Sequence, residues 1–444
     1  MKLSVIADKV NGQLIGEDLD VQQFSTDTRT ISTGDVFIAL SGANFDANAF
    51  VKTAEERGAV AAIVSLHNQE SSIPQIIVAN TQLALGQLAK AWREQYDLMR
   101  VAITGSSGKT TTKELTASIF RQAGETLATL GNKNNEIGVP LTLLRLNAEH
   151  RYGVFELGAN HIGEIAYTSA LVQPHAAVIT NIGTAHLEGF GSRQGIAQAK
   201  GEIFSGLVEG GTAVINADDE FADYHQTLCI GRKVLTFSVK KQADAYATDI
   251  KRANGGAYQF NLHLAEQSTP IQLRLIGQHN VANALAASCL ALACGLTLPQ
   301  IKQGLEQAQG AAGRMVLHRR QNFTLIDDTY NANPDAMKAA IDELALSDGY
   351  KIVVLGAMGE LGDNAPSLHQ QVGAYAQAKG IDALYCVGAF SENTAQGYGS
   401  QAQRFNEQKE LIEELLVAIP QGATILVKGS RSARMENVVQ ALLE

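Results

Sequence analysis

Residues 101–120 read VAITGSSGKTTTKELTASIF. The apolar strand VAI runs into a turn of Gly and Ser residues, and a helix-like pattern follows the turn. Gly105 and Gly108 let backbone N–H groups point toward a polyphosphate, and the helix N-terminus adds partial positive charge. Lys109 can reach the β and γ phosphates, and the hydroxyl of Thr110 can hold Mg²⁺. The stretch therefore predicts a phosphate-binding loop between a buried strand and a helix.

The spacing of this loop is G-x-x-G-K-T, which is shorter than the common G-x-x-x-x-G-K-[ST] spacing. Ile103 stands where the longer form has its first Gly, and Thr111 offers a second hydroxyl beside Thr110. The short form indicates a subset of nucleotide-binding proteins. A Gly/Ser turn with an incidental Lys is the alternative, and the strand–loop–helix order argues against it.

Strand-like and helical segments alternate on both sides of the loop. Apolar strand-like runs occur at 35–40, 61–65, 75–79, 152–157, 176–180, 212–216, 323–327, 351–356, 383–388 and 423–429. Helical patterns separate most of these runs, which predicts parallel sheets covered by helices. Residues 246–276 alternate polar and apolar positions, which predicts an antiparallel edge.

The chain of 444 residues is long enough for several domains. We expect an α/β protein of three domains. Residues 1–80 form a small mixed α/β domain, residues 81–311 a central P-loop-type domain with a parallel sheet, and residues 312–444 a Rossmann-like domain.

Composition excludes several classes of protein. The 35 basic and 45 acidic residues give a net charge of −10, which argues against a nucleic-acid-binding protein. The four cysteines show no C-x-x-C spacing, so we expect reduced thiols. Asp8 interrupts the first apolar run too early for a signal peptide, and the apolar stretch 285–298 is too short to span a bilayer. We therefore expect a cytoplasmic protein without membrane insertion.

Three polar residues stand out in the central segment. Glu156 ends a strand, where open α/β sheets present ligand-binding residues, and a buried acid needs a partner or a metal. His186 follows the next strand, so the two side chains can converge above the sheet edge. A salt-bridged acid and a surface histidine are the alternatives. Lys200 lies in a helical pattern, where a solvated lysine is the usual interpretation.

Two further turns follow strands. Residues 327–334, DDTYNANP, form a polar strand-to-helix turn, and loops in that position usually bind a ligand. The glycines of KIVVLGAMGELG (351–362) have the spacing G-x-x-G-x-x-G rather than the G-x-G-x-x-G of dinucleotide-binding proteins. Asp382 precedes the next strand instead of ending it, so nicotinamide binding is not expected.

These segments resemble the Mur ligases, the ATP-dependent enzymes that extend the peptide stem of the bacterial cell-wall precursor. The resemblance rests on eight segments in family order: TGSSGKTTTKE (104–114), TLGNKNNEIGVPLTLL (129–144), FELGANHIGEI (155–165), NIGTAHLEGFGS (181–192), AKGEIF (199–204), LIGQHNVANALAA (275–287), GR (313–314) and IDDTYNANPDAM (326–337).

Two segments, IDDTYNANPDAM and VKGSRSARME (427–436), resemble the family member that adds D-alanyl-D-alanine to UDP-N-acetylmuramoyl-tripeptide. The chain does not contain the D-Y-A-H-T-P-D type turn and D-N-P-R motif of the diaminopimelate-adding member, and folylpolyglutamate synthases do not contain the NANP turn. STDTR (25–29), GDVFIALSG (34–42) and FDANAF (45–50) resemble the segments that hold the UDP-sugar, which assigns that task to residues 1–80. Asn48 departs from the family, since many relatives have His there.

The resemblance implies ATP and two Mg²⁺ ions as cofactors. It implies ATP contacts at Gly105, Ser106, Ser107, Gly108, Lys109, Thr110, Thr111, Asn280, Arg314 and Asp328. It implies metal ligands at Thr110, Glu156, His186 and a carbamylated Lys200, and catalytic roles for Lys109, Glu156, His186 and Lys200. It implies substrate contacts at Ser25, Asp27, Arg29, Asn134, Asn331, Asn333, Lys428 and Arg431.

The implied reaction has two steps. The tripeptide carboxylate attacks the γ-phosphate to give an acyl phosphate, and the amine of D-alanyl-D-alanine then displaces phosphate. We expect a monomer, and the third residue of the tripeptide, diaminopimelate or lysine, stays open. The alternatives are another Mur-type or folylpolyglutamate-type amide ligase, a P-loop phosphotransferase, and a nucleotide-regulated binding module without turnover.

Overall fold

The computed structural model describes residues 1–42, 45–184, 187–253 and 255–444, and these residues form three main β-sheets with helices. The α/β class with three sheets is the one predicted. Sheet one ends at Ile77, sheet two extends from Met99 to Ile276, and sheet three from Val316 to Lys428. The limits at residues 80 and 312 fall between these sheets and stay a prediction about domains.

The first sheet has five strands in the order β1-β7-β6-β3-β2, with β1 antiparallel and the others parallel. Strands β4 and β5 pair antiparallel with each other in a separate two-stranded sheet. The strands are β1 (Gln13–Ile15), β2 (Gln23–Ser25), β3 (Asp35–Ile38), β4 (Ser41–Gly42), β5 (Phe45–Asp46), β6 (Ala61–Val64) and β7 (Gln75–Ile77). The helices are α1 (Leu3–Lys9), α2 (Val51–Glu56) and α3 (Thr81–Arg93).

The central sheet has the order β16-β15-β14-β13-β12-β11-β8-β10-β9. Strands β8 to β14 run parallel, and β15 and β16 add an antiparallel extension at one edge. The strands are β8 (Met99–Thr104), β9 (Thr126–Ala128), β10 (Tyr152–Glu156), β11 (Ala176–Ile179), β12 (Thr212–Asn216), β13 (Lys233–Ser238), β14 (Ala245–Arg252), β15 (Ala257–Leu264) and β16 (Gln267–Ile276).

Eight α-helices accompany this sheet among the residues described. They are α4 (Lys109–Phe120), α5 (Gly138–Leu143), α6 (Glu164–Val172), α7 (Leu187–Phe190), α8 (Arg193–Gly201), α9 (Ala222–Thr227), α10 (His279–Ala293) and α11 (Leu298–Gln307). Helices α4 and α10 pack on one face with Leu115, Phe120 and Leu285 fully buried. The opposite face of the sheet is buried as well. A parallel sheet that is buried on both faces has strands that are apolar along their whole length.

The third sheet has the order β17-β18-β22-β19-β20-β21, parallel except for β17. The strands are β17 (Val316–Arg319), β18 (Phe323–Asp328), β19 (Lys351–Leu355), β20 (Ala383–Val387), β21 (Gln403–Phe405) and β22 (Ala423–Lys428). The helices are α12 (Pro334–Ala345), α13 (Ala365–Ala378), α14 (Ser391–Tyr398), α15 (Gln408–Ala418) and α16 (Glu436–Leu443).

The apolar core of the first sheet continues across residue 80 into the central sheet. Leu85, Leu88 and Trp92 of α3 belong to one buried cluster with residues from both sheets. Trp92 also stacks edge-on against Phe24 of β2, with ring centroids 5.2 Å apart. Helix α3 therefore fixes the first sheet to the central one.

None of the helices in the described parts of the chain is both long and apolar enough to cross a membrane.

Candidate active site

The phosphate loop, residues 105–108, connects the end of β8 to the start of α4. Gly105 has φ 148° and Gly108 has φ 80°. A Cβ atom at Gly105 would lie 1.8 Å from Thr180 Oγ1, and one at Gly108 would lie 2.4 Å from Asn283 Oδ1. Both positions therefore require Gly, because a side chain would clash as well as strain the backbone.

Residues after β11 hold the loop in place. The N–H groups of Ser106 and Ser107 donate to the carbonyl and the side-chain oxygen of Asn181, at 2.9 and 3.0 Å. Thr180 Oγ1 donates to Ser107 O at 2.6 Å. These two N–H groups are thus engaged within the protein. The first turn of α4 supplies further N–H groups without intrahelical partners, which suits an anion.

Lys109 and Thr110 begin α4 and face the loop. Lys109 Nζ donates to Gly105 O at 2.8 Å. Burial lowers the pKa of Lys109, and the negative charge of Glu156 acts in the opposite direction. Thr110 Oγ1 donates to Glu156 Oε2 at 2.8 Å and accepts from Arg314 Nη2 at 2.9 Å. The structure thus brings four of the predicted residues together.

Glu156 is a buried carboxylate at the end of β10, with 2% of its surface exposed. Its Oε1 accepts from Asn134 Nδ2 at 2.8 Å, and its N–H donates to Thr129 Oγ1 at 3.1 Å. The partners of its two oxygens are neutral groups, so the negative charge is stabilised by hydrogen bonds and by nearby Lys109. Asn134, predicted as a substrate contact, lies against this carboxylate.

Lys200 is buried at the end of α8, with 1% of its surface exposed. Within the described residues its Nζ has no hydrogen-bond partner, and it lies 5.7 Å from the centroid of the Phe190 ring. Burial lowers the pKa of Lys200 well below the usual value, and Lys109 lowers it further. A solvated helix lysine is therefore the wrong interpretation.

His186 lies outside the described residues, so its predicted metal-ligand role stays a prediction. Within the described residues no group of three or more His, Cys, Asp and Glu side chains could hold a metal ion.

The start of α10 closes one side of the site. Asn283 Nδ2 donates to Asn280 Oδ1 at 2.8 Å, and Asn280 Nδ2 donates to Ile276 O at 2.7 Å. Thr112 Oγ1 of α4 donates to Asn283 Oδ1 at 3.3 Å. This chain of amides ties α10 to α4, and both asparagines line the cavity described below.

Arg314 reaches from the segment before β17 to the phosphate loop. Besides its bond to Thr110, its guanidinium lies 4.2 Å from the centroid of the Tyr330 ring. Its Nε is buried and has no hydrogen-bond partner among the residues that the structure describes. A fixed cation at the phosphate end of the site is the arrangement expected for an ATP contact.

Asp328 and Lys428 form a buried ion pair at the ends of the neighbouring strands β18 and β22. Lys428 Nζ donates to Asp328 Oδ2 at 2.5 Å and to Asn331 O at 3.0 Å. The side chain of Lys428 is 3% exposed, and Met315 N donates to Asp328 Oδ1 at 3.2 Å. Lys428 is therefore paired with Asp328. The sequence had instead predicted a lysine that is available to the carboxylate of a substrate.

The turn after β18 joins the third sheet to the phosphate loop. Asn333 Nδ2 donates to Ser107 Oγ at 3.2 Å, and its Oδ1 caps α12 by accepting from Ala336 N at 2.8 Å. Asp335 Oδ2 accepts from the N–H and hydroxyl of Thr184, both at 3.0 Å.

A cavity of about 560 Å³ lies among these elements, a volume that suits a nucleotide. Its walls come from the phosphate loop, the residues after β11, the start of α10 and the turn after β18. Predicted residues in its lining are Ser106, Ser107, Gly108, Lys109, Thr110, Thr111, Asn280, Arg314, Asp328, Asn331, Asn333 and Lys428.

Other predicted substrate contacts lie apart from this cavity. Ser25, Asp27 and Arg29 form a cluster after β2, in which Arg29 Nη2 donates to Asp27 Oδ2 at 2.7 Å. Hydrogen bonds from Arg29 lower the pKa of Asp27 to about 2. Arg431 is exposed after β22 and donates to Glu436 Oε1 at 3.0 Å. Asn48 is buried and donates to Ser65 Oγ at 2.7 Å.

Sequence reasoning missed four residues that shape the cavity. Thr180 and Asn181 hold the phosphate loop, Asn283 covers Gly108, and Tyr330 stacks on Arg314. All four line the cavity. Thr180, Asn181 and Tyr330 follow the carboxyl ends of parallel strands, which is the signal that could have found them.

Comparison with known proteins identifies the family. The Mur ligase middle domain matches residues 103–291, and the Mur ligase glutamate ligase domain matches residues 313–431. The UDP-N-acetylmuramoyl-tripeptide–D-alanyl-D-alanine ligase of Escherichia coli is 47% identical, over 100% of this chain and 98% of that protein. The enzyme of the same name from Bacillus subtilis is 34% identical, over 99% and 97%.

Solved structures agree with the sequence comparison. MurF from Acinetobacter baumannii superposes with a TM-score of 0.94 at 40% identity, covering 99% of this chain and 98% of that chain. MurF ligase from Thermotoga maritima, solved in complex with ADP, superposes with a TM-score of 0.85 at 28% identity, covering 95% and 97%. The chain therefore belongs to the Mur ligase family and, within it, to the UDP-N-acetylmuramoyl-tripeptide–D-alanyl-D-alanine ligases.

Proposed function

We propose that the chain uses ATP to join D-alanyl-D-alanine to UDP-N-acetylmuramoyl-tripeptide. The observation that carries this proposal is the cavity between the phosphate loop and the third sheet, where Arg314 contacts Thr110 and Asn333 contacts Ser107. A nucleotide in this cavity would touch two of the predicted domains at once. Its terminal phosphate would lie where the other two substrates can meet.

The phosphate end of the cavity provides the positive charge that the first step needs. Lys109 contacts the phosphate loop and Arg314 contacts Thr110, and the N-terminus of α4 points to the same place. As the tripeptide carboxylate attacks the γ-phosphate, two anions approach each other, and fixed cations stabilise the transition state without reorganising. The products of this step are the acyl phosphate and ADP.

Amide formation follows by attack of the dipeptide amine on the acyl phosphate carbonyl. Phosphate leaves with the oxygen that came from the carboxylate, and the amine loses a proton. Activation is needed because a free carboxylate is a poor electrophile.

We propose that the phosphate end of the cavity holds two Mg²⁺ ions. The hydroxyl of Thr110 and the carboxylate of Glu156 are oxygen ligands, which Mg²⁺ prefers, and they lie 2.8 Å apart. Burial favours the neutral amine of Lys200, and a neutral amine is the form that combines with CO₂ to give a carbamate. We assign Thr110 to one ion and Glu156, His186 and carbamylated Lys200 to the other. Bound Mg²⁺ would neutralise charge on the γ-phosphate and the carboxylate.

We assign the UDP-sugar to residues 1–80 and the amine substrate to residues 312–444. Ser25, Asp27 and Arg29 offer polar groups at the carboxyl end of β2. Asn134 donates to Glu156, and we assign it a contact to the tripeptide. We further propose that the enzyme acts as a cytoplasmic monomer.

Isotope transfer tests the acyl phosphate directly. UDP-tripeptide labelled with ¹⁸O in its terminal carboxylate should release phosphate that carries the label, because the bridging oxygen comes from the carboxylate. Phosphate without the label would show that ATP is hydrolysed by water or that phosphate is transferred elsewhere, and would contradict the proposed mechanism.

A further inference from the structure

The segment of residues 180–184, which follows β11, determines the position of the phosphate loop. The carbonyl and side-chain oxygens of Asn181 accept from the N–H groups of Ser106 and Ser107, at 2.9 and 3.0 Å. Asn181 Nδ2 donates in turn to Ser107 O at 3.1 Å. Because the loop is bound to this segment through its backbone, a movement of the segment would move the loop.

The middle of the segment is held by the central domain. Ile182 N donates to Asp219 Oδ2 at 2.7 Å, and Ile182 O accepts from Arg193 Nη2 at 3.2 Å. Asp219 follows β12, and Arg193 is the first residue of α8. The end of the segment, at Thr184, is held by a different part of the molecule.

Asp335 of α12 holds Thr184 from the side of the third sheet. Its Oδ2 accepts from both the N–H and the hydroxyl of Thr184, each at 3.0 Å. A Cβ atom at Gly183 would lie 2.7 Å from this carboxylate oxygen and 3.4 Å from Ser106 Cβ. Gly183 therefore lies between the carboxylate and the phosphate loop, where a side chain would clash with Asp335.

The first turn of α12 thus contacts the phosphate loop by two routes. One is direct, because Asn333 at the cap of α12 donates to Ser107 Oγ at 3.2 Å. The other is indirect, from Asp335 in the first turn through Thr184 to the segment that holds the loop. Asn333, Asp335 and Thr184 all line the cavity. The position of α12 and the shape of the phosphate end of the cavity are therefore linked.

We propose that Asp335 is a positioning residue that retains the nucleotide in the cavity by fixing Thr184 and, through residues 180–184, the phosphate loop. This inference rests on the proposed function, since it takes the cavity as the nucleotide site. The contact between Asp335 and Thr184 joins α12 to the central domain, so it has to break before α12 can move away. Its strength therefore controls how fast ADP leaves after the reaction.

The test measures how fast ADP with a fluorescent methylanthraniloyl group dissociates from the full-length protein in the presence of Mg²⁺. Asp335→Ala removes both hydrogen bonds to a charged acceptor, so we expect it to raise the dissociation rate constant at least about fivefold. The association rate constant should change less than about twofold, because the contact forms after the nucleotide has entered. Asp335→Asn, which keeps an acceptor oxygen without the charge, should give an intermediate dissociation rate constant.

Thr184→Val separates positioning from a general loss of stability. It removes the hydroxyl and keeps the N–H group, so it should raise the dissociation rate constant less than Asp335→Ala does. The double variant should match Asp335→Ala alone, because both changes break the same contact. The control is Asp348→Ala, which removes an exposed carboxylate beyond the other end of α12 and should behave like the wild type.

Three results would overturn the role of Asp335. An unchanged dissociation rate constant in Asp335→Ala would show that the contact does not retain the nucleotide. Slower dissociation would show that the carboxylate repels the phosphates, and additive effects in the double variant would show that Asp335 does not act through Thr184. A wild-type protein that does not bind the fluorescent ADP would instead refute the nucleotide site on which the proposed function depends.

Discussion

Lys109 combines two tasks at the start of α4. Its ammonium group closes the phosphate loop through Gly105 O at 2.8 Å, and it supplies positive charge beside Glu156. We expect Lys109→Ala to lower kcat by at least about a hundredfold, because the group stabilises charge that develops in the transition state. Phosphate release measures this effect, and the thermal unfolding midpoint serves as the control. More than about a tenth of wild-type activity in the folded variant would contradict the assignment.

The burial of Lys200 could not be predicted from the sequence pattern alone. Its spacing in AKGEIF is that of an ordinary helix lysine, whereas the structure buries it beside Phe190 and lowers its pKa. If it functions as a carbamate, Lys200→Ala should be nearly inactive and added formate should restore part of the activity. Lys200→Arg should stay inactive because the required charge is negative. An active arginine variant would refute the carbamate.

The ion pair of Lys428 and Asp328 makes a prediction about stability. Removing one partner leaves the other charge buried, so Lys428→Ala and Asp328→Ala should each lower the free energy of unfolding by about 3–5 kcal/mol. The double variant should lose clearly less than the sum, because neither charge is then left alone. Urea unfolding measures all three. Strictly additive losses would show that the two side chains do not depend on each other.

Site residues could be predicted from the sequence where a short motif defines them. Lys109, Thr110 and Glu156 meet in the structure as the strand–loop–helix order and the strand-end position suggested. Lys428 was predicted to be open to substrate, and its partner Asp328 lies a hundred positions away, on β18. An ion pair between residues so far apart in the sequence depends on the order of strands in the sheet. No local sequence pattern shows that order.

Helix α12 is the element that connects the phosphate loop with the antiparallel extension. Its cap, Asn333, contacts Ser107 at one end. At the other end Glu343, 2% exposed, accepts from Arg252 Nε at 2.6 Å and from Tyr258 Oη at 3.0 Å. Strands β14 and β15 thus anchor the helix that positions the third sheet at the nucleotide cavity.

Breaking this anchor should therefore impair nucleotide binding from a distance. We expect Glu343→Ala to raise the KM for ATP about tenfold, since Arg252 is left without its partner and α12 can shift. A matched control is Glu392→Ala, whose carboxylate is exposed and 3.8 Å from Arg404. Surface pairs of this kind contribute little, so the control should keep its KM and its unfolding midpoint. Equal KM values in the two variants would show that α12 needs no anchor.

Most of the longer strands, and few of the shortest ones, were predicted from the sequence. The strands predicted at 152–157, 176–180 and 423–429 and the antiparallel extension predicted at 246–276 are confirmed within a few residues. The three-residue strands β1, β9 and β21 were missed, because so short a segment shows no period, although β7, which also has three residues, was predicted at 75–79. Strand β13, which lies between β12 and β14 in the central sheet, was also missed, and only Val234, Leu235 and Phe237 of its six residues are apolar.

At the scale of the whole molecule, the cavity belongs to no single sheet. The central sheet gives the phosphate loop, α10 gives Asn280, and the third sheet gives Asp328 and Asn333. This arrangement gives the third sheet a task in the reaction, which a phosphotransferase acting on a hydroxyl would leave unexplained. The family assignment likewise favours the D-alanyl-D-alanine ligase over the folylpolyglutamate-type alternative.

We expect ATP turnover to depend on the amine substrate, which we assign to the third sheet. Purified protein with ATP, Mg²⁺ and UDP-N-acetylmuramoyl-tripeptide should release phosphate continuously only after D-alanyl-D-alanine is added, with one amide formed per phosphate. Free diaminopimelate or L-lysine should not replace the dipeptide. Phosphate release at the same rate without the dipeptide, or sustained turnover with free diaminopimelate, would contradict the proposed function.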